Sequence, residues 1–171
     1  MDLPHLCYLQ MVDNNKFDNG KNQSCMLNPR TKDAVEILNG LVRINSDRIK
    51  FYQDYLEYGN ALDPEYREFF ALVAGESYQN NIWISIEIQT IEGNIDADTP
   101  VDPVRENTKP TTPLPDQVRI LKECTQVEET TRNEYTKAME SVFIPQYMRE
   151  LLKKQVRRLE AAKRQIGRFS K

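Results

Sequence analysis

Apolar residues return every three to four positions in four stretches of this chain, the spacing of one buried face of an α-helix. The first stripe runs Leu38, Leu41, Asn45, Arg48/Ile49, Tyr52 and Tyr55/Leu56, and predicts a helix over 33–58. The second runs Tyr66, Phe69/Phe70, Val73, Glu76/Ser77, Asn80, Trp83/Ile84, Glu87 and Ile91, predicting 64–92. The third is Val118, Leu121, Cys124, Glu128, Thr131, Tyr135 and Ala138/Met139, predicting 116–140. The fourth is Met148, Leu152, Gln155, Leu159, Ala162 and Ile166, predicting 145–169.

Breaker residues agree with these limits. All nine prolines fall outside the four segments or at their first position, where a missing N–H removes no helical hydrogen bond. Asp33 followed by Glu36 has the spacing of a capping box. Gly59-Asn60 supplies a stop, and Asp63-Pro64 an N-cap with proline at the first helical position. Gly75, inside ALVAGES, is read as a close approach between helices.

Loop lengths then predict the connectivity. Short breaks join the first helix to the second and the third to the fourth, which favours antiparallel hairpins. Residues 93–115 contain Pro100, Pro103, Pro110, Pro113 and Pro115 without helical period, so they form a linker. Extended at about 3.3 Å per residue, the linker outreaches a 25-residue helix of about 37 Å. The expected fold is all-α: a ferritin-like four-helix bundle, two antiparallel hairpins joined by a long Pro-rich crossover. Residues 1–30, rich in Asn, Asp and Lys, are expected to be a disordered or loosely attached arm ahead of the bundle at 31–171, with Met26 a possible true start.

Composition sets the class. At 171 residues the chain has room for one domain with a real core, and no apolar run reaches the 18 or more residues of a membrane span. The N-terminus lacks the basic region of a secretory signal, so the expected compartment is the cytoplasm. Cys7, Cys25 and Cys124 stand at no metal-ligand spacing. Cys124 lies on the third stripe as a small buried thiol, and a reducing cytosol argues against a Cys7–Cys25 pair.

The net charge of −3 conceals an asymmetry, because residues 146–171 hold 9 Lys+Arg against 2 Asp+Glu. Arg149, Lys153, Arg157, Arg164 and Arg168 fall off the fourth stripe and would line its outer face. They are suited to an anionic polymer or membrane surface, or to pairing with Glu123, Glu129 and Glu134 on the third helix. The acidic remainder of the chain repels phosphate, so nucleic acid is disfavoured as a partner.

Polar residues interrupt every stripe near mid-helix: Asn45 and Arg48, Glu76 and Asn80, Glu128, and Gln155. Packed helices bring them to similar heights, which predicts a polar layer inside the core. A buried carboxylate needs a partner, and Arg48 is expected to pair with Glu128 or Glu76. The alternative is a two-metal carboxylate centre, which takes Glu from two helices and Glu-x-x-His from two more. The chain offers Glu76-Ser-Tyr-Gln79 and Glu160-Ala-Ala-Lys163, and its one histidine is His5, in the arm. A charged lysine cannot ligate a metal. With one histidine and six scattered glycines, no nucleophile–base pair or phosphate loop assembles from the helices. No enzyme activity and no cofactor are expected.

The segments AVEILNGLVRINSDRIKFYQDY, EYREFFALVAGESYQ, ILKECTQVEETTRNEYTKAM and IPQYMRELLKKQVRRLEAAKRQI resemble a bacterial ferritin-like family catalogued as domain of unknown function 2383. The resemblance covers residues 33–92 and 116–169. Its most specific parts are Leu38-Asn39, Asn45, Asp47-Arg48, the pair Glu128-Glu129 and Tyr135. It implies a ferritin-like bundle without an established activity. Two features depart from that family: the Pro-rich connection is shorter than usual, and Lys163 stands where relatives often carry a histidine. The resemblance therefore implies that any metal site built on that histidine is lost. The function expected is a non-catalytic module that self-associates or binds a partner protein, with Tyr55, Tyr58, Tyr66 and Tyr147 as aromatic surface candidates, of which Tyr58 and Tyr66 are read first as packing at the hairpin end. A metal-binding protein and an anionic-polymer binder are the alternatives.

Overall fold

The computed structural model describes residues 29–91, 93–94 and 113–170, and over these the chain is all-α. Four helices follow in order: α1 (Pro29–Leu56), α2 (Pro64–Thr90), α3 (Gln117–Glu140) and α4 (Gln146–Phe169). The described residues contain no strand. Met26, Cys7, Cys25, His5 and most of the predicted linker lie outside the described residues.

Helix ends differ from the predicted ones for local reasons. The first helix starts at Pro29, four residues before Asp33, so the expected capping box at Asp33 and Glu36 lies within α1 and caps nothing. A first-position proline sacrifices no hydrogen bond there. α1 stops at Leu56, two residues early, because Gly59 turns the chain with φ of 53°, a left-handed conformation that glycine adopts without strain. Asp63 accepts the Glu65 N–H at 2.8 Å and Asp116 accepts that of Arg119 at 2.9 Å, the caps of α2 and α3. α2 ends at Thr90, and Pro145 precedes α4 as its cap residue.

The apolar side chains gather in two groups. Tyr52 and Tyr55 of α1, Phe69, Phe70 and Val73 of α2, Leu121 and Cys124 of α3, and Ala162 and Ile166 of α4 share one cluster. Leu38, Leu41 and Val42 of α1, Ile84 and Ile88 of α2, Tyr135 and Ala138 of α3, and Met148 and Leu152 of α4 share the other. The early half of α1 thus packs with the late halves of α2 and α3. The buried polar side chains Asn45, Arg48, Ser77, Asn80, Glu128 and Thr131 fall where their helices pass from one cluster to the other, and Gln155 lies between Leu152 and Leu159 of the second.

Several stripe positions face elsewhere than expected. Val118 is 78% exposed, its place in the core taken by Ile120. Gly75 lies on the outer surface, where an added Cβ would touch nothing, so no helix approaches it. The close approach is at Gly93, where a Cβ would fall 2.5 Å from Val35 Cγ2 of α1. Among the described residues no helix is long and apolar enough to cross a membrane.

Candidate functional site

Arg48 lies at the middle of the polar layer, on the inner face of α1. Its Nε and Nη2 donate to the two carboxylate oxygens of Glu128 on α3, both at 2.8 Å. Its Nη1 donates to Ser77 Oγ of α2 at 2.7 Å. Both charged side chains are 1% exposed. Tyr52, one turn after Arg48, donates its hydroxyl to Glu128 Oε1 at 2.7 Å. Two planar groups meeting through two parallel hydrogen bonds fix each other's orientation as a single contact cannot.

Asn45, one turn before Arg48, faces Tyr135 of α3. The amide nitrogen donates to the phenol oxygen at 2.8 Å, and the hydroxyl lies 3.1 Å from the amide oxygen. The layer is thereby tied from α1 to α3 at two heights. Asn80 of α2, Thr131 of α3 and Gln155 of α4 are also buried, yet their side-chain polar atoms make no hydrogen bond with the described residues. Asn80 approaches the Tyr135 hydroxyl without the geometry of a bond.

The surroundings hold the protons on. Burial, reinforced by the Glu128 charge, pushes the Tyr52 phenol well above its ordinary range. Burial raises Tyr135 as well, against the bond from Asn45. The Cys124 thiol is pushed up to about 12, by burial first and by Glu128 second. These groups resist ionisation, the opposite of what a nucleophile or general base requires. In a Cys7→Ser/Cys25→Ser background, Cys124 is expected to react with dithiobis-nitrobenzoate at about a thousandth of a free thiol's rate at pH 8. Urea should restore the ordinary rate, and fast labelling of the folded chain would contradict the burial.

Of the six layer residues expected from sequence, five are buried together: Asn45, Arg48, Asn80, Glu128 and Gln155. Glu76 is the exception. It is half-buried beside Arg158 and makes no hydrogen bond or ion pair with the described residues; Arg48 goes to Glu128. Burial raises the Glu76 carboxyl, against the charges of Arg48 and Arg158. Tyr52, Ser77, Thr131 and Tyr135, ordinary stripe residues by sequence, belong to the layer as well. The four-residue steps from Arg48 to Tyr52 and from Thr131 to Tyr135 were the signal.

The aromatic and basic surface candidates divide. Tyr55 and Tyr66 are buried, Tyr55 donating to Glu123 Oε2 at 2.6 Å and Tyr66 stacking on Phe70 at 6.0 Å. Tyr58 is half-buried against the same cluster. Tyr147 alone is exposed. On α4, Arg149 donates to the carbonyls of Ser141 and Ile144 and closes the turn before the helix. Lys153 pairs with Glu150, and Lys163 with Glu129 of α3. Glu128 and Glu129 point apart, one into the layer and one to solvent.

Among the described residues no three His, Cys, Asp or Glu side chains are grouped to hold a metal ion. No family model matches this chain, and no curated protein matches it.

Proposed function

We propose that this chain is a ferritin-like four-helix bundle that acts in the cytoplasm as a non-catalytic, self-associating or protein-binding module around a structural polar layer. The contact register supports the topology. Arg48 meets Ser77 and Glu128, Ser46 meets Asn81, and Tyr55 meets Glu123, so α1 runs against both α2 and α3. Gln117 meets the end of α4 and Glu129 meets Lys163, so α3 runs against α4. This register supports the reading of two antiparallel hairpins joined by a lengthwise crossover. The resemblance to the ferritin-like family of unknown function rests on the same four segments.

The observation that carries the reading is the bidentate Arg48–Glu128 pair. Arg48 and Glu128 are the only fully buried charges among the described residues, and each neutralises the other. Both oxygens that a metal would need from Glu128 are committed to a guanidinium. The test is plasma mass spectrometry on protein purified without chelator or histidine tag, combined with sedimentation velocity. Background metal and a concentration-dependent assembly are the expected results. Iron or manganese near one or two per chain, lost in Glu76→Ala or Glu128→Ala, would replace this reading with a metal-binding one.

A further inference from the structure

α1 packs on α2 and α3, and α3 on α4, but α2 and α4 touch least of these neighbouring pairs. Their ends are pinned. Phe169 meets Tyr66 and Phe69 edge-on at 4.8 and 5.5 Å, and Tyr147 hydrogen-bonds Glu87. The two helices therefore run in opposite directions with a groove of about 690 Å³ opening between them. Phe69, Leu72 and Val73 form one side of it, and Ala161, Ala162 and Phe169 the other.

The outward side of α2 is apolar as well as its inward side. Leu72, Ile82, Trp83 and Ile86 are 59%, 53%, 50% and 48% exposed. The steps through 72, 76, 79, 83 and 86 keep Leu72, Trp83 and Ile86 on the stripe of Glu76, which lines the groove. A helix apolar on both faces is built to be covered on both faces. Residues 93–94, just after α2, lie against α1 and not on this side: Asn39 of α1 donates to the Asn94 carbonyl at 3.0 Å, and Gly93 packs against Val35.

The groove walls also differ in charge. Glu65, Glu68 and Glu76 stand on the α2 wall, and Arg158, Arg164 and Arg168 on the α4 wall. The Phe169 contacts put the acidic start of α2 level with the basic end of α4. A two-fold axis parallel to the helices would lay α2 of each copy over α4 of the other. Glu65 and Glu68 then face Arg164 and Arg168 of a second copy, twice over, and Trp83 comes over the basic stripe of α4.

We propose that the open α2–α4 seam is the docking surface for a second copy of this chain, which pairs with it about such an axis. This rests on the self-associating reading above and specifies its surface, partner and symmetry. The surface is self-complementary in charge and apolar between its charged walls, as an isologous interface requires.

The experiment is sedimentation of the full chain and of charge-swapped variants, with circular dichroism to verify their helix content. The unaltered chain is expected to dimerise. Glu65→Arg/Glu68→Arg and Arg164→Glu/Arg168→Glu should each weaken dimerisation at least about tenfold. An equimolar mixture of the two should recover it, since opposite charges then face each other on both sides. Leu72→Glu/Trp83→Glu should be monomeric and stay so in every mixture. A chain monomeric at all concentrations would overturn the self-associating reading itself. A dimer that these variants leave intact, or a mixture that fails to recover, would overturn the seam and leave self-association standing.

Discussion

Arg48→Met is expected to lower the unfolding free energy by about 3–5 kcal/mol, the typical cost of stranding one partner of a buried ion pair. Domains of this kind hold about 5–15 kcal/mol in all, so the variant should sit near the edge of folding. The loss comes from Glu128. Its carboxylate keeps only the Tyr52 hydroxyl once both guanidinium bonds are gone, at a site 1% exposed. Removing the carboxylate too should recover most of the loss, because a buried pair gains little over apolar side chains of similar volume. The fair comparison is Arg48→Met/Glu128→Met/Tyr52→Phe, since Tyr52 would otherwise lose its acceptor. Ser77 needs no change, as its hydroxyl also donates to the Val73 carbonyl at 3.1 Å. Urea unfolding followed by far-ultraviolet dichroism measures all three. A single variant within about 1 kcal/mol of the parent would mean that Glu128 finds another partner.

The four helices were legible because periodicity and breakers report independent physics and agreed. The polar interruptions Asn45, Arg48, Asn80, Glu128 and Gln155 were legible for the same reason: a polar residue on an apolar stripe has nowhere to go but inward. Depth was not legible. Glu76 and Ser77 are neighbours on one stripe, and nothing local shows that the serine goes in and the glutamate stays at the groove. α2 is apolar on both sides, so its pattern left open which side faces the core, and Trp83 was placed inward with Ile84. Residue type alone does not place Val118 or Gly75, since helix ends and outer faces carry valine and glycine too. Tyr66 packs at the hairpin end, the first reading of it, whereas Tyr55 keeps neither a surface place nor a free hydroxyl. That hydroxyl goes to Glu123, and both rings are buried.

Gln155→Met is expected to raise the unfolding free energy, by about 1–3 kcal/mol, the penalty carried by a buried polar group without a partner. Both amide atoms of Gln155 and both of Asn80 lie in the interior without a hydrogen bond to the described residues, as does the Thr131 hydroxyl. Methionine matches glutamine in length and volume, so it tests polarity with little change in packing. Asn80→Leu and Thr131→Val extend the series to α2 and α3. These sites sit at one height in the core, so their gains should fall short of additive. The contrast with Arg48 is the informative part. Within one layer, deleting a satisfied group should cost a large part of the fold's stability, while deleting an unsatisfied one should add to it. If Gln155→Met and Asn80→Leu instead destabilise by 1 kcal/mol or more in urea unfolding, the amides have partners beyond the described residues. The layer would then be a solvated or ligand-holding chamber, and the structural role proposed for it would have to be given up.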